Sequence, residues 1–177
     1  ESKQEKALMD KEVDQSSSQS QKVSQSAVSF TLSKQQSSTQ RTQRTPSAAQ
    51  QTQMNQVVDD LEQNAPESFE FHYFKYVAGN YNVALIEDLK KAESLRPQNS
   101  DVQIQLAAYN IIVNDQTNAQ VYLEKLIKST RLSQDVLDYA EDLLKSAPDK
   151  GTLITHGFDD TYACFYLQTV KKIRSDV

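Results

Sequence analysis

The chain has 177 residues, of which 37% are hydrophobic and 24% are charged, and its formal net charge at pH 7 is −5. This acidic balance argues against a nucleic acid as the main ligand, because phosphate contacts need clustered lysine or arginine side chains. The single cysteine, Cys164, excludes an intrachain disulfide and any zinc site built from several cysteines. The sequence has no run of 18 apolar residues. We therefore expect no transmembrane segment in it, and membrane association only through a partner or an anchor outside this sequence.

Residues 1–52 are predicted to form a low-complexity, Ser/Gln-rich arm. The stretch 15–57 contains no acidic residue and only four basic ones, Lys22, Lys34, Arg41 and Arg44. Serine, glutamine and threonine dominate it, and such a composition buries too little apolar surface to offset the entropy lost on ordering. We therefore expect an extended arm without a fold of its own.

One patch inside the arm, the sequence AVSFTLS, has a different pattern. Val28, Phe30 and Leu32 alternate with small hydroxyl residues, and a period of two residues is typical of a half-buried strand. Our hypothesis is that this patch adds as a strand to the sheet edge of a partner. Val28, Phe30 and Leu32 are then candidate partner-binding residues. Chance alternation in a linker is the alternative.

Residues 53–148 carry the spacing of amphipathic helices. Met54, Val57, Val58 and Leu61 recur at the i, i+3, i+4 and i+7 positions of one helical face. Five further helical patterns follow, separated by turn residues and prolines. They cover residues 65–78, 81–95, 100–113, 119–130 and 133–147.

Aligning these helices in pairs places Ala84 opposite Ala119, a spacing of 35 residues that is close to the tetratricopeptide period of about 34. Gly79, Tyr81 and Pro97 stand near that motif's turn and terminal-proline positions. On these residues, the stretch 67–148 resembles tetratricopeptide helix pairs. The resemblance implies a mainly α protein with an α-solenoid, a fold whose members mostly bind other proteins.

The segment FEFHYFKY contains more aromatic side chains than one helix interface needs. Tyrosine is favoured at protein interfaces, so we predict that Tyr73 and Tyr76 face a partner. Packing of the aromatic run into the core is the alternative, and His72 beside it is interpreted as a packing or partner-facing residue.

Residues 149–177 are predicted to open a βαβ module. The apolar run TLIT (152–155) suits a buried strand, TYACFYLQTVKKIR suits a helix, and SDV suits the start of a second strand. Between the first strand and the helix lies a polar turn, which we interpret as structural, with an Asp159 or Asp160 carboxylate accepting backbone N–H bonds. Four residues define this turn: Gly157, Asp159, Asp160 and Thr161.

This closing segment is similar to a soluble, periplasm-facing segment of membrane glycosyltransferase-like envelope proteins from Bacteroidota-type bacteria. The residues that carry the resemblance are Gly157, Asp160, Thr161, Tyr162, Tyr166, Leu167, Gln168, Val170, Arg174, Asp176 and Val177. His156 and Phe158 replace the Asn and first Asp of the family's turn. The resemblance implies a periplasmic location in a Gram-negative envelope.

His156, Asp159, Asp160 and Cys164 are the only cluster that suggests chemistry. A Cys–His nucleophile pair needs thiol and imidazole within hydrogen-bonding distance, and a divalent metal needs more ligands than this one turn supplies. A free cysteine among aromatic residues is more often a small buried hydrophobe. We therefore predict no catalytic residue, no metal site and no cofactor.

The sequence as a whole predicts a non-enzymatic scaffold subunit that binds protein partners in a bacterial cell-envelope assembly. The resemblance suggests an accessory role in protein transport or gliding machinery, such as type IX secretion. The alternative is the soluble portion of an envelope glycosyltransferase-like enzyme whose catalytic part lies outside this chain.

Overall fold

The computed structural model describes residues 17–34 and 46–177. These residues are mainly helical, as predicted, and contain eight α-helices, one short 3-10 helix at Val83–Leu85 and no β-strand. The α-helices are α1 (17–34), α2 (Ala48–Asn64), α3 (Phe69–Ala78), α4 (Ile86–Leu95), α5 (Ser100–Ile112), α6 (Gln116–Lys128), α7 (Gln134–Ser146) and α8 (Phe158–Thr169). The remainder of the predicted arm, 1–16 and 35–45, lies outside the described residues.

The chain divides into two compact units, Glu1–Leu95 and Arg96–Val177, which we call the N-terminal and C-terminal units. In the N-terminal unit, α3 packs against both α2 and α4. In the C-terminal unit, α5 packs against α6, and α8 packs against α7 and α6. The boundaries expected after residues 52 and 148 remain predictions, although α2 already begins at Ala48.

Short polar side chains start most of the helices. Ser47 and Gln50 form a reciprocal capping box at α2, and Ser68 accepts a hydrogen bond from the Phe71 amide at α3. Asn99 and Asp115 act in the same way at α5 and α6. Each cap satisfies an N–H group that has no partner within the helix and contributes about 1 kcal/mol.

Aromatic side chains form the core of the N-terminal unit. Met54, Val57 and Leu61 of α2 are buried, as their helical spacing predicts. The aromatic residues of the α3 run are also buried, namely Phe69, Phe71, Tyr73, Phe74 and Tyr76. Phe69 and Tyr73 stack with ring centroids 5.5 Å apart.

The C-terminal unit has a core of leucine and alanine closed by α8. Ala107 and Leu123 connect α5 and α6, while Ala140 and Leu144 of α7 meet Ala163 of α8. The helix that the sequence assigns to a separate α/β module therefore shares one hydrophobic core with α6 and α7.

The strand predicted for AVSFTLS is wrong, because residues 17–34 form a helix. The hydroxyls of Ser24, Thr31 and Ser33 donate to the carbonyl oxygens four residues earlier, at distances between 2.8 and 3.0 Å. Bonds of this kind satisfy serine and threonine hydroxyls within a helix. Within this helix, Phe30 stacks on Phe74 of α3.

The βαβ prediction is also wrong within the described residues. TLIT has no regular secondary structure, and Ile154 is 90% exposed, although Leu153 packs against the core. SDV does not extend either, because Lys172 and Arg174 have φ values of 59° and 47° and turn the chain. A four-residue apolar run forms a strand only when a neighbouring strand completes its backbone hydrogen bonds. TLIT has no such neighbour among the described residues, and the core beside it consists of the helices α7 and α8.

Candidate protein-interaction surface

The outer face of α1 exposes two of the five predicted partner-binding residues. Val28 is 61% exposed and Leu32 is 52% exposed, and their spacing of four residues places them on one helical face. Phe30 points the opposite way, is only 2% exposed and stacks on Phe74 of α3, with ring centroids 4.1 Å apart and planes 3° apart. The helix therefore separates three residues that a strand would have kept on one face.

Polar contacts and Phe30 together hold α1 on the N-terminal unit. The Gln19 side-chain amide donates to the Asn64 carbonyl at the end of α2, and the Gln53 amide donates to the Ser29 hydroxyl at 3.4 Å. The inner face of α1 is thus fixed along α2 and α3, while the face with Val28 and Leu32 stays exposed. We call this exposed face the α1 surface.

Tyr73 and Tyr76 lie in the core rather than on a groove. Tyr73 is buried beside Phe69, and Tyr76 meets Tyr81 with ring centroids 5.8 Å apart. The pKa of Tyr76 is raised, mainly by burial and to a smaller extent by the neighbouring Tyr81, so its phenol stays neutral. The structure places both tyrosines as packing residues, which is the alternative that the sequence left open.

Sequence reasoning missed an ionic contact between α3 and α4. His72 Nδ1 lies 2.9 Å from an Asp88 oxygen, and Lys75 Nζ lies 3.4 Å from the other Asp88 oxygen. Among the described residues, His72 Nε2 is buried without a hydrogen-bond partner. The three side chains connect the two helices. No periodicity in the sequence pairs His72 with Asp88, since they belong to different helices 16 residues apart.

The polar turn before α8 lies where the sequence places it. Gly157 is the N-cap of α8 and has φ 101°, a backbone region that favours glycine. An Asp160 carboxylate oxygen accepts from the His156 amide at 2.9 Å, and the Thr161 hydroxyl donates to Thr155 at 2.9 Å. Asp159 instead forms an ion pair with Arg131 at 3.3 Å. These contacts support the predicted structural role.

Cys164 lies inside the core of the C-terminal unit. Its Sγ is 3.9 Å from the Ala140 carbonyl oxygen. The pKa of the thiol is raised, mainly by burial and to a smaller extent by the negative charge of Asp160. A raised pKa disfavours the nucleophilic thiolate. Within the described residues, no group of three or more His, Cys, Asp and Glu side chains is arranged to hold a metal ion.

Arg174 joins the end of the chain to the end of α7. Its guanidinium donates to the carbonyl oxygens of Leu144, Ala147 and Pro148, at distances between 3.0 and 3.1 Å. Asp176 pairs with Arg174 at 2.9 Å and also accepts from the Lys150 amide at 3.0 Å. The Arg174 guanidinium therefore lies at the carbonyl end of α7, where it satisfies carbonyl groups that have no partner within the helix.

Gln168 completes this arrangement, because its side-chain amide donates to the carbonyl oxygens of Arg174 and Val177. Several residues that carry the resemblance of the closing segment therefore have structural contacts here.

Comparisons of the chain with protein-family models, with curated proteins and with solved structures found no match. No helix among the described residues is long and apolar enough to span a membrane.

Proposed function

We propose that this chain is a non-enzymatic scaffold subunit that binds a protein partner through the α1 surface. The observation that carries the proposal is the exposure of Val28 and Leu32 on a helix that is fixed from its other side. Covering the exposed parts of two such side chains contributes roughly 2 kcal/mol. This is enough to make them important in an interface, though too little to form one alone.

The proposed architecture is a short tetratricopeptide-like α-solenoid. Two features support it: consecutive helices pack as pairs within each unit, and Ala119, one of the aligned small residues, is fully buried. Gly79 has the role expected of a small residue between helices, because a Cβ at this position would lie 2.3 Å from the Leu85 side chain. Solenoids of this type commonly present extended binding surfaces.

The proposed location is the periplasm of a Gram-negative bacterium, in an assembly for protein export or gliding such as type IX secretion. This part rests on the resemblance of the closing segment, carried by residues between Gly157 and Val177, to an envelope-protein segment. The alternative, a soluble portion of a glycosyltransferase-like enzyme, rests on the same resemblance, and no contact in the structure favours it.

The test is affinity purification of the tagged chain from its native cells, with quantification of every protein that co-purifies. We expect one partner in a fixed ratio with the wild-type chain and its loss from a Val28→Asp/Leu32→Asp variant. A Thr52→Asp/Gln56→Asp variant is the matched control, because it adds the same charges at the same spacing to exposed positions of α2. Equal recovery from both variants contradicts the role of the α1 surface. Recovery only with a longer membrane-spanning chain favours the enzyme alternative.

A further inference from the structure

A groove between the start of α7 and the turn before α8 has no role in the function proposed above. Its volume is about 410 Å³. Asp135, Val136 and Tyr139 line it on the α7 side, and residues 156–160 line it on the other side. All of these residues belong to the C-terminal unit, so the groove and the α1 surface are parts of different units.

The α7 side of the groove presents an aromatic ring among carboxylates. Tyr139 is 60% exposed, and the exposed Asp135 lies one helical turn before it on the same face. Asp142, three residues after Tyr139, is exposed as well and continues this face. An exposed tyrosine ring with a carboxylate on each side along the helix is a surface that suits a positively charged group.

The other side of the groove already binds a cation of the chain itself by the same combination of groups. The guanidinium carbon of Arg131 lies 4.5 Å from the centroid of the Phe158 ring, and its Nη1 lies 3.3 Å from an Asp159 oxygen. An aromatic face and a carboxylate thus hold one guanidinium together. Asp135 and Tyr139 offer the same two groups, and among the described residues no lysine or arginine side chain pairs with either of them.

The charge of the lining selects the kind of occupant. The groove is lined by three carboxylates, Asp135, Asp159 and Asp160, and by no lysine or arginine. The Asp159 carboxylate already has its ion pair, and the Asp160 carboxylate accepts main-chain N–H groups. The Asp135 carboxylate is therefore the one left for a ligand, and the aromatic ring beside it adds apolar surface that a bare metal ion would leave uncovered.

We propose that this groove binds a lysine or arginine side chain from a basic segment of a protein partner. The aliphatic stem of that side chain lies on Val136 and the Tyr139 ring, and its charged end meets the Asp135 carboxylate. A second basic residue of the same segment meets Asp142 on the exposed face of α7. The inference rests on the proposed function as an interaction subunit and adds the chemistry of a partner segment.

The experiment is a titration of the full chain, labelled with ¹⁵N, followed by amide chemical-shift changes. The probe is an N-acetylated, C-amidated Gly-Ala-Arg-Lys-Ala-Arg-Gly peptide, and its Gly-Ala-Gln-Gln-Ala-Gln-Gly analogue tests the need for charge. We expect the basic peptide to shift the backbone amides of residues 135–139 and 156–160, and the analogue to shift neither set. Calcium chloride at the same ionic strength is the probe for a simple metal site, and we expect it not to compete with the peptide.

Two pairs of variants make the assignment specific. Asp135→Asn should weaken binding about threefold, whereas Asp101→Asn should leave it unchanged. Asp101 is a matched control because it is the exposed second residue of α5, as Asp135 is of α7. Tyr139→Leu should also weaken binding about threefold, whereas Tyr139→Phe, which keeps the ring, should bind as the wild type does. Because these side chains are exposed, we expect all four variants to stay folded, and thermal unfolding checks this.

Three results overturn the inference: equal binding by Asp135→Asn and Asp101→Asn, competition by calcium, or shifts that avoid the groove. Binding by Tyr139→Leu that is as tight as binding by Tyr139→Phe overturns it too, because the ring would then contribute nothing. Failure here leaves the α1 surface untouched, because the co-purification experiment changes only residues of the N-terminal unit. A chain that co-purifies with no partner but still binds the basic peptide would contradict the role of the α1 surface and leave the groove assigned.

Discussion

Phe30 fixes the position of α1 at the scale of a single residue. Its ring is almost fully buried and lies parallel to Phe74, while the neighbouring residues of α1 are mostly small and polar. Aromatic contacts of this kind dominate the energy of an interface that contains few other apolar groups. The exposure of Val28 and Leu32 therefore depends on Phe30, which orients the helix.

We predict that Phe30→Ala lowers the free energy of unfolding by about 3 kcal/mol, the usual cost of removing a buried phenyl ring. Leu32→Ala is the matched control and should change stability by less than about 0.5 kcal/mol, because half of its side chain is already exposed. Urea unfolding followed by circular dichroism measures both. Equal effects of the two variants would mean that Phe30 does not hold α1.

The Asp176 carboxylate gives the C-terminal unit a defined pH dependence. Arg174, and then the Lys150 amide, hold the pKa of Asp176 well below its usual range. A depressed pKa in the folded state stabilises the fold at pH values above the unfolded-state pKa of about 4, and this stability is lost as the pH falls below it.

We therefore expect stability to fall between pH 5 and pH 2, with Asp176→Asn showing a smaller acid-dependent loss than the wild type. Thermal unfolding across this range measures the difference. Asp149→Asn is the control, since Asp149 is fully exposed and its nearest oxygen lies 3.7 Å from Arg174. Parallel pH profiles for wild type and Asp176→Asn would contradict the assignment.

At the scale of elements, Arg174 connects the end of the chain to α7. We predict that Arg174→Ala lowers the melting temperature more than Arg174→Lys, because an ammonium group cannot reproduce the planar guanidinium contacts with the carbonyl oxygens at the end of α7 and with the Asp176 carboxylate. Lys172→Ala should leave the melting temperature unchanged. Calorimetry of the four proteins gives the order, and a lysine variant as stable as the wild type would show that charge alone suffices.

Helices were predictable from this sequence wherever a regular apolar face coincided with caps. The spacing of Met54, Val57 and Leu61 located α2, and Ser133 preceded α7, where its side chain accepts from the Val136 amide. These signals are local, so they need no knowledge of the rest of the fold.

The two wrong predictions share one physical cause. Short apolar runs fit a strand and a helix equally well, and tertiary contacts choose between them. For Val28–Leu32 the deciding contact is Phe74, which lies 44 residues further along the chain than Phe30. For TLIT the deciding factor is the absence of a partner strand among the described residues. The turn at Gly157 was predictable because its signals are local: a glycine, which tolerates positive φ, is followed closely by the acidic pair Asp159 and Asp160.

At the scale of the whole molecule, the division after Leu95 predicts that the C-terminal unit folds by itself. Residues 96–177 contain a complete buried core, so we expect this fragment to unfold cooperatively and to protect Cys164 from thiol reagents. The thiol should react at least about tenfold more slowly in buffer than in urea. A fragment without cooperative unfolding, or with a fully reactive thiol, would show that the unit depends on the rest of the chain.

The central claim is that the α1 surface contacts a protein partner, and photo-crosslinking in native cells tests it most directly. A benzoylphenylalanine at position 28 reports on the α1 surface, and one at position 56 reports on an exposed face of α2. We predict that position 28 gives a single major adduct with the protein that co-purifies, and that position 56 gives little. Equal adducts from the two positions, or none from position 28, would contradict the claim.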